Sequence, residues 1–184
     1  MNIKKILTGV VALTLVAAIS VGATLAYLTA TDSKTNTFTV GKVGITLTET
    51  YTQNSKLIPG STITKIPVVT VSDNSEDCYL RVKVTIPAKM KAVLENVPDA
   101  PSGWTLTLPA EGSNIYVYTK DTKASKTNSF TIFESLTVKS NIDNTLFEDW
   151  AITDKDMSIV AEAIQSEGFE TPALAWAAFD AQKA

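Results

Sequence analysis

The side chains best suited to chemistry are five carboxylates between positions 143 and 156: Asp143, Glu148, Asp149, Asp154 and Asp156. Carboxylate oxygens are typical Ca²⁺ ligands, but these five lack the spacing of a calcium-binding loop. Catalytic zinc sites normally use histidine ligands, and the chain contains no histidine. A solvated acidic turn is therefore the simpler interpretation, and we expect no metal site and no cofactor.

The absence of histidine also excludes the commonest catalytic arrangements. A Ser-His-Asp triad, a Cys-His pair and an HExxH zinc motif each need an imidazole. We therefore do not expect an enzyme. Cys78 is the only cysteine, so the thiol is either buried or engaged in a bridge to another molecule. Because Cys78 opens a strongly alternating strand, we favour a buried thiol.

The N-terminal segment carries the pattern of a substrate for signal peptidase. A short basic start precedes a run without charge from Ile6 to Thr31. Thr24 and Ala26 supply the small side chains that the enzyme needs at its −3 and −1 pockets. The sequence therefore predicts a signal peptide over residues 1–26, cleaved before Tyr27. The alternative is an uncleaved anchor, because about 20 apolar residues suffice to span a bilayer.

Length and charge describe what would remain after export. About 158 residues form one domain, which can bury roughly 70% of its unfolded surface. Loss of Lys4 and Lys5 with the signal changes the formal charge from −3 to −5. No basic patch is present, so we expect no nucleic-acid partner. We expect a secreted protein of the extracellular matrix or cell surface that meets the membrane only through its uncleaved signal.

Apolar and polar residues alternate through most of the remaining chain. The clearest strand is Cys78–Ile86, whose apolar residues at every second position indicate one face on a core and one in water. Further strands are predicted at 43–48, Ile63–Val71, Trp104–Leu108, Ile115–Tyr118, Ser129–Phe133, Leu136–Lys139 and Met157–Gln165. Pro67 cannot donate to a ladder, so its strand should lie at an edge or begin there.

This spacing of about eight strands predicts a mainly β fold. We expect a two-sheet, jelly-roll-like antiparallel sandwich over residues 42–184, with an immunoglobulin-like sandwich as the alternative. A signal helix would precede it at 1–26 and an extended segment at 27–41. Asp121–Asn128 is polar and is predicted to be a solvated hairpin loop.

Two helices are expected beside the strands. A short one is predicted at Ala88–Asn96, between two prolines. A C-terminal helix should begin after Thr171 as its N-cap, with Pro172 at the first helical position. Trp176 and Phe179 are three residues apart and share a face, so these rings are expected to dock the helix on the sandwich.

Several segments together resemble the TasA/camelysin family of Gram-positive exported proteins. In that family a small-aromatic step at the signal end is followed by a polar stretch, a Phe, a Gly and the first strand. The corresponding residues are Ala26-Tyr27, Asp32–Asn36, Phe38 and Gly41. Later matching segments are Leu57–Gly60, Lys65–Val68, Asp77–Val84, Ala163–Phe169 and Ala175-Trp176.

The resemblance implies a jelly-roll body and export with the dedicated signal peptidase SipW as a transient partner. It also implies self-association into biofilm-matrix fibres, in which the processed N-terminal segment adds a strand to a neighbouring subunit. The anchors would be Tyr27, Leu28, Phe38 and Val40, although this segment is equally describable as a leader to the first strand. Camelysin relatives suggest a metalloprotease, which the lack of histidine disfavours.

A surface adhesin or carbohydrate-binding module is the alternative function. Its stacking platforms would come from aromatic residues in and near the predicted strands. The candidates are Trp104, Tyr116, Tyr118 and Trp150. The same rings could equally belong to the core or to strand edges, and fold alone does not decide between these functions.

Overall fold

Two antiparallel sheets and two helices make up the part of the chain that the computed structural model describes, residues 42–52, 55–143 and 156–182. These residues belong to one compact unit, Val40–Ala184. The strands are β1 (Ile45–Tyr51), β2 (Thr62–Val71), β3 (Cys78–Thr85), β4 (Trp104–Thr107), β5 (Ile115–Lys120), β6 (Ser129–Thr131), β7 (Ser135–Thr137) and β8 (Ser158–Gln165). The helices are α1 (Ala88–Val93) and α2 (Pro172–Ala181).

The two sheets each contain four strands. In sheet I, β2 is central, with β1 on one side and both β6 and β7 on the other. Sheet II has the order β4-β5-β3-β8. All of these pairings are antiparallel. The prediction of a mainly β chain with two antiparallel sheets and a C-terminal helix is therefore confirmed.

The alternation in β3 has the predicted consequence for the core. Leu80, Val82 and Val84 are at most 1% exposed and pack with the inward residues of both sheets. The prediction that the other face of this strand lies in water is wrong, because Tyr79 and Arg81 are each 7% exposed and lie beneath Trp176 of α2. Tyr118 is completely buried on the neighbouring strand β5, and its hydroxyl donates to the Pro98 carbonyl oxygen at 2.7 Å. Satisfying that polar atom allows a large ring to fill the core without leaving a buried donor unpaired.

The prediction that Pro67 marks an edge or a strand start is wrong. Pro67 lies in the middle of the central strand β2. The Lys65 amide donates to the Glu134 carbonyl oxygen and the Pro67 carbonyl oxygen accepts from the Ile132 amide, so these residues direct their backbone groups toward β6 and β7. The missing N–H of Pro67 therefore faces the break between those two short strands, where the ladder is already interrupted.

The segment Asp121–Asn128 is not a hairpin loop, contrary to the prediction. It connects β5 in sheet II with β6 in sheet I, and thus crosses from one sheet to the other. Most of its residues are exposed, but Ala124 is buried. Ala124 and Cys78 exchange two backbone hydrogen bonds of 2.7 and 2.9 Å, which hold the crossing against the start of β3.

The helices agree closely with the sequence. α1 begins at Ala88 as expected and ends at Val93, three residues before the predicted end. α2 has Pro172 in its first turn, and the Thr171 hydroxyl oxygen accepts from the Leu174 amide at 3.4 Å. None of the helices within the described residues has the length and apolar character required to traverse a membrane.

Candidate assembly site

The residues predicted to act in export and assembly lie outside the described part of the chain. The cleavage residues are Thr24, Ala26 and Tyr27, and the strand-donor anchors are Tyr27, Leu28, Phe38 and Val40. The signal helix at 1–26 and the extended segment at 27–41 lie there too. What the structure does provide is the body of the domain, and with it the strand edges that a donor segment could pair with.

One side of the sandwich presents two long strand edges. β1 has seven residues and pairs with β2, while β8 has eight residues and pairs with β3. Among residues 42–52, 55–143 and 156–182, no strand pairs with the opposite edge of either. β1 and β8 also lie against each other. We call the two outer edges, that of β1 in sheet I and that of β8 in sheet II, the long margin.

The core is incompletely covered along the long margin. Ile45 and Leu47 on β1, and Ile159 and Ala161 on β8, pack against the core but are only partly buried. Leu80 on the adjacent interior strand is completely buried. Each Å² of apolar surface still in contact with water represents about 25 cal/mol of burial not yet gained. A further strand laid along this margin would gain it.

The opposite side of the sandwich is built differently. β4 has four residues, and β6 and β7 have three each. Trp104 and Phe130 close the space between the sheets through an edge-to-face contact of 5.8 Å. Beside β7, the Glu95 amide donates to the Thr137 carbonyl oxygen, and the Lys139 amide donates to the Val93 carbonyl oxygen. We call this side, formed by β4, β6 and β7, the short margin.

An inward-facing ion pair connects the edge strand β1 to β2. Lys65 is 5% exposed, and its Nζ lies 2.6 Å from Oε1 of Glu49. The same ammonium lies 4.4 Å from the centre of the Tyr51 ring, a distance at which the ring face attracts a cation. Inward-pointing charge on an edge strand is a known means of preventing indiscriminate strand pairing.

A second ionic cluster connects the edge strand β8 to β3 and to α2. Arg81 donates from Nε to Glu162 at 2.8 Å, and from both terminal nitrogens to Asp180 at 2.7 and 2.9 Å. Its guanidinium lies 4.3 Å from the Trp176 ring centre. The hydrogen bonds to Asp180 and Glu162 raise the pKa of Arg81. This cluster fixes α2 on the outer face of sheet II, as the sequence predicted from Trp176 and Phe179.

A polar cleft of about 850 Å³ lies at one end of the sandwich. Its lining includes Asp77, Lys123, Ser125, Ser166, Glu167 and Phe169. Lys123 Nζ lies 3.2 Å from Asp77 Oδ2, and hydrogen bonds from Ser125 and Lys123 lower the pKa of the Asp77 carboxyl. Sequence reasoning missed this cleft because its lining residues are far apart in the chain.

The aromatic residues considered as glycan platforms do not serve that purpose where they are described. Trp104, Tyr116 and Tyr118 are 7%, 8% and 0% exposed, so their rings belong to the core. Trp150 lies outside the described residues. The interpretation of these three rings as core residues is confirmed.

Cys78 is a buried thiol, as predicted. Burial raises its pKa from the ordinary 9.0 to about 11. Of the carboxylates considered for a metal, Asp143 and Asp156 are exposed, and Glu148, Asp149 and Asp154 lie outside the described residues. Within the described ranges, no three or more His, Cys, Asp or Glu side chains are grouped as a metal site.

Comparison with protein-family models, with curated proteins and with solved structures finds no match for the chain.

Proposed function

We propose that this chain is an exported structural protein, a fibre subunit of the cell surface or biofilm matrix that assembles by strand addition. In this proposal the signal peptide is removed between Ala26 and Tyr27 by a SipW-type peptidase, and the protein belongs with the TasA/camelysin proteins that its sequence resembles. The sandwich would be a jelly roll, a fold with which eight strands in two sheets agree.

The observation that carries the proposal is the long margin. It combines two continuous strand edges, free of a partner within the described ranges, with core residues that are only partly buried. An edge of this kind accepts a peptide by β-augmentation, in which main-chain hydrogen bonds give affinity and alternate side chains give register. Contacts made head-to-tail in this way do not close on themselves and produce filaments.

The segment 27–41 has suitable chemistry for the donor strand. Its apolar anchors are Tyr27, Leu28, Phe38 and Val40, and threonine and serine make up most of the residues between Leu28 and Phe38. Threonine is well tolerated in strands. Each anchor that packs against the partly buried residues of the long margin would contribute about 1.5–3 kcal/mol of apolar burial before ordering costs.

Two versions of the protein test this function, one starting at Tyr27 and one at Gly41, compared by electron microscopy and by sedimentation. We expect filaments from the longer version and none from the shorter. Filaments from both versions, or from neither under any condition tested, would refute strand donation by this segment.

A pair of substitutions identifies the anchor within the donor. We expect Phe38→Ala in the Tyr27 version to reduce filament yield at least tenfold, because it removes a large apolar contact. Thr39→Ala is the matched control, since it alters a neighbouring residue that is not an anchor, and its yield should stay within about twofold of the unmodified chain. Equal losses from the two substitutions would contradict the assignment of anchors.

A substitution on β8 tests the proposed acceptor strand. Ala161→Leu on β8 would fill part of the incompletely covered core and should leave the monomer folded while suppressing assembly. A variant that folds and still makes filaments would exclude β8 from the acceptor.

Carbohydrate binding is the second candidate function, and the polar cleft is the observation that favours it. Its carboxylates, ammonium groups and hydroxyls could form hydrogen bonds with sugar hydroxyls, and Phe169 adds an aromatic side chain to the lining. Glycan-array binding that is lost in Lys123→Ala would support this candidate. Binding that is unaffected by this substitution would rule out the cleft.

A further inference from the structure

The outer face of sheet I is composed almost entirely of threonine and serine. The strand registers place twelve residues on this face, and ten of them carry a hydroxyl group. They are Thr46, Thr48, Thr50, Thr62, Thr64, Ile66, Val68, Thr70, Ser129, Thr131, Ser135 and Thr137. We call this surface the threonine face.

None of these twelve positions carries a charge, although the chain has 16 basic and 19 acidic side chains. The outer face of sheet II differs sharply, since Arg81, Lys83 and Glu162 form its ionic cluster. Glu134 is exposed at the break between β6 and β7, where the ladder of this face is interrupted. Depletion of charged residues is one of the compositional features of the core of a protein–protein interface.

Part of the threonine face is already ordered in the single chain. Thr70 and Ser129 are joined by a hydrogen bond of 2.9 Å between their hydroxyl oxygens. Threonine, valine and isoleucine have restricted χ1 angles, so ordering them in a contact costs little entropy. Ile66 and Val68 lie half-buried on β2, the central strand of the face, and form its apolar middle.

We propose that the threonine face packs against the same face of a second copy of this chain. A negatively charged protein opposes contact with itself wherever like charges meet, and an uncharged face avoids that repulsion. One patch on both partners is the isologous arrangement of a two-fold pair. Two such sheets pack about 10 Å apart with their side chains interdigitated.

The size of the face sets the strength of this contact. Ten residues at about 3.3 Å each and three strands about 4.8 Å apart cover roughly 450 Å² per copy. The pair would bury on the order of 900 Å², less than the 1,200 Å² or so of a stable complex. Isolated copies should therefore pair weakly. Copies linked in a row would pair strongly, because each contact raises the effective concentration for the next.

Sedimentation equilibrium of the version starting at Gly41, from about 10 µM to about 1 mM, tests the pairing with matched charge variants in the absence of strand donation. Val68→Lys and Val68→Glu place a charge at the centre of the face, and each should weaken self-association at least tenfold. An equimolar mixture of the two should recover it, because opposite charges then meet across the interface. Recovery on mixing also excludes misfolding as the reason for the loss.

Val117→Lys is the control, because Val117 is likewise half-buried and lies on the outer face of sheet II. Its self-association should match that of the unmodified chain. The proposal is overturned if the unmodified chain stays monomeric at 1 mM, if the control weakens pairing equally, or if the mixture pairs no better than its components. Protection of the face by a neutral polysaccharide while the protein stays monomeric would also overturn it.

The outcome is separable from strand addition. Val68→Lys in the Tyr27 version should still give single filaments and should abolish their side-by-side association. Loss of the filaments themselves would contradict a role confined to the threonine face.

Discussion

The two margins of the sandwich differ in how their strand edges are built. The short margin consists of strands of three or four residues, closed by the Trp104–Phe130 contact and by residues that follow α1. The long margin has strands of seven and eight residues and a partly buried core. Proteins usually shorten or cover their edges to prevent aggregation. Among the described residues only the short margin is shortened and covered, while β1 has the inward-pointing charge of Glu49 instead.

The difference indicates that the open edges of the long margin are a specified feature of the fold and not a gap in its packing. Each of its strands is joined by charge to the neighbouring strand of its own sheet. Glu49 of β1 pairs with Lys65 on the inner face of sheet I, and Glu162 of β8 pairs with Arg81 on the outer face of sheet II. These ion pairs hold the strands in position without covering their outer edges. A strand edge that is held in place, and that has no strand partner within the part of the chain the structure describes, is the geometry that a pairing strand requires.

The prediction with the largest expected effect compares a leucine in the interior with a leucine at the long margin. Leu80→Ala in the interior should destabilise the monomer by about 3 kcal/mol, since it opens a cavity in a fully packed region. Leu47→Ala at the long margin should cost about 1 kcal/mol, because its side chain is only partly buried. Urea unfolding of monomeric protein measures both. Equal losses would mean that the long margin is as well packed as the interior.

The next test removes the Arg81 contacts that hold β8 and α2 in place, which we call the Arg81 clamp. Arg81→Met leaves Glu162, whose side chain is 8% exposed, and Asp180, whose side chain is 55% exposed, without the guanidinium. Removing one partner of a buried pair is costly, but Asp180 can return to water, so we expect a loss of about 2 kcal/mol in urea unfolding.

Lys83→Met is the matched control for the clamp. Its side chain is 31% exposed and it pairs with the same Glu162 at 3.1 Å. We expect a loss of about 0.5 kcal/mol, the usual value of a partly exposed pair. If both substitutions lower the free energy of unfolding equally, Arg81 is not the residue that holds β8 in place.

The last test measures how alkaline pH affects stability through the thiol at the end of β8. Cys78 pairs with Gln165 of β8, and its pKa is raised from 9.0 to about 11 in the folded chain. The unfolded chain therefore loses the thiol proton first, so this contribution to stability is complete below pH 9 and disappears as the pH rises through 11. Between pH 8 and 10 we expect a decrease of about 1 kcal/mol in the free energy of unfolding.

Cys78→Ala provides the control, because the remaining pH dependence then belongs to other groups such as Tyr118, whose pKa burial also raises. An unchanged slope in this variant would show that the thiol is accessible in the folded protein, and hence that this end of β8 opens.

Much of the fold was predictable because local patterns and the tertiary structure agree. The alternation in Cys78–Ile86, the cap at Thr171 and the Pro172 start each specify one local conformation, and the structure contains them all. The burial of Cys78 followed from the same alternation. These are short-range effects, in which each residue's neighbours determine its conformation.

The errors arose where strands far apart in sequence determine the outcome. Nothing near Pro67 reveals that the ladder beside it is broken, and nothing in Asp121–Asn128 reveals that β5 and β6 belong to different sheets. The long margin and the threonine face were missed for the same reason, since both depend on the register between strands. The donor segment remains a prediction, since it lies outside the described residues.

The break beside Pro67 has a consequence for where sheet I could accept a further strand. A sheet with two continuous edges can add strands at both sides along its hydrogen-bond direction, as cross-β fibrils do. Here the ladder on one side is interrupted at Ile132–Glu134, so a straight strand has no continuous row of donors and acceptors to follow there. A strand added to sheet I would therefore pair with β1, because the proline-marked side offers no straight edge.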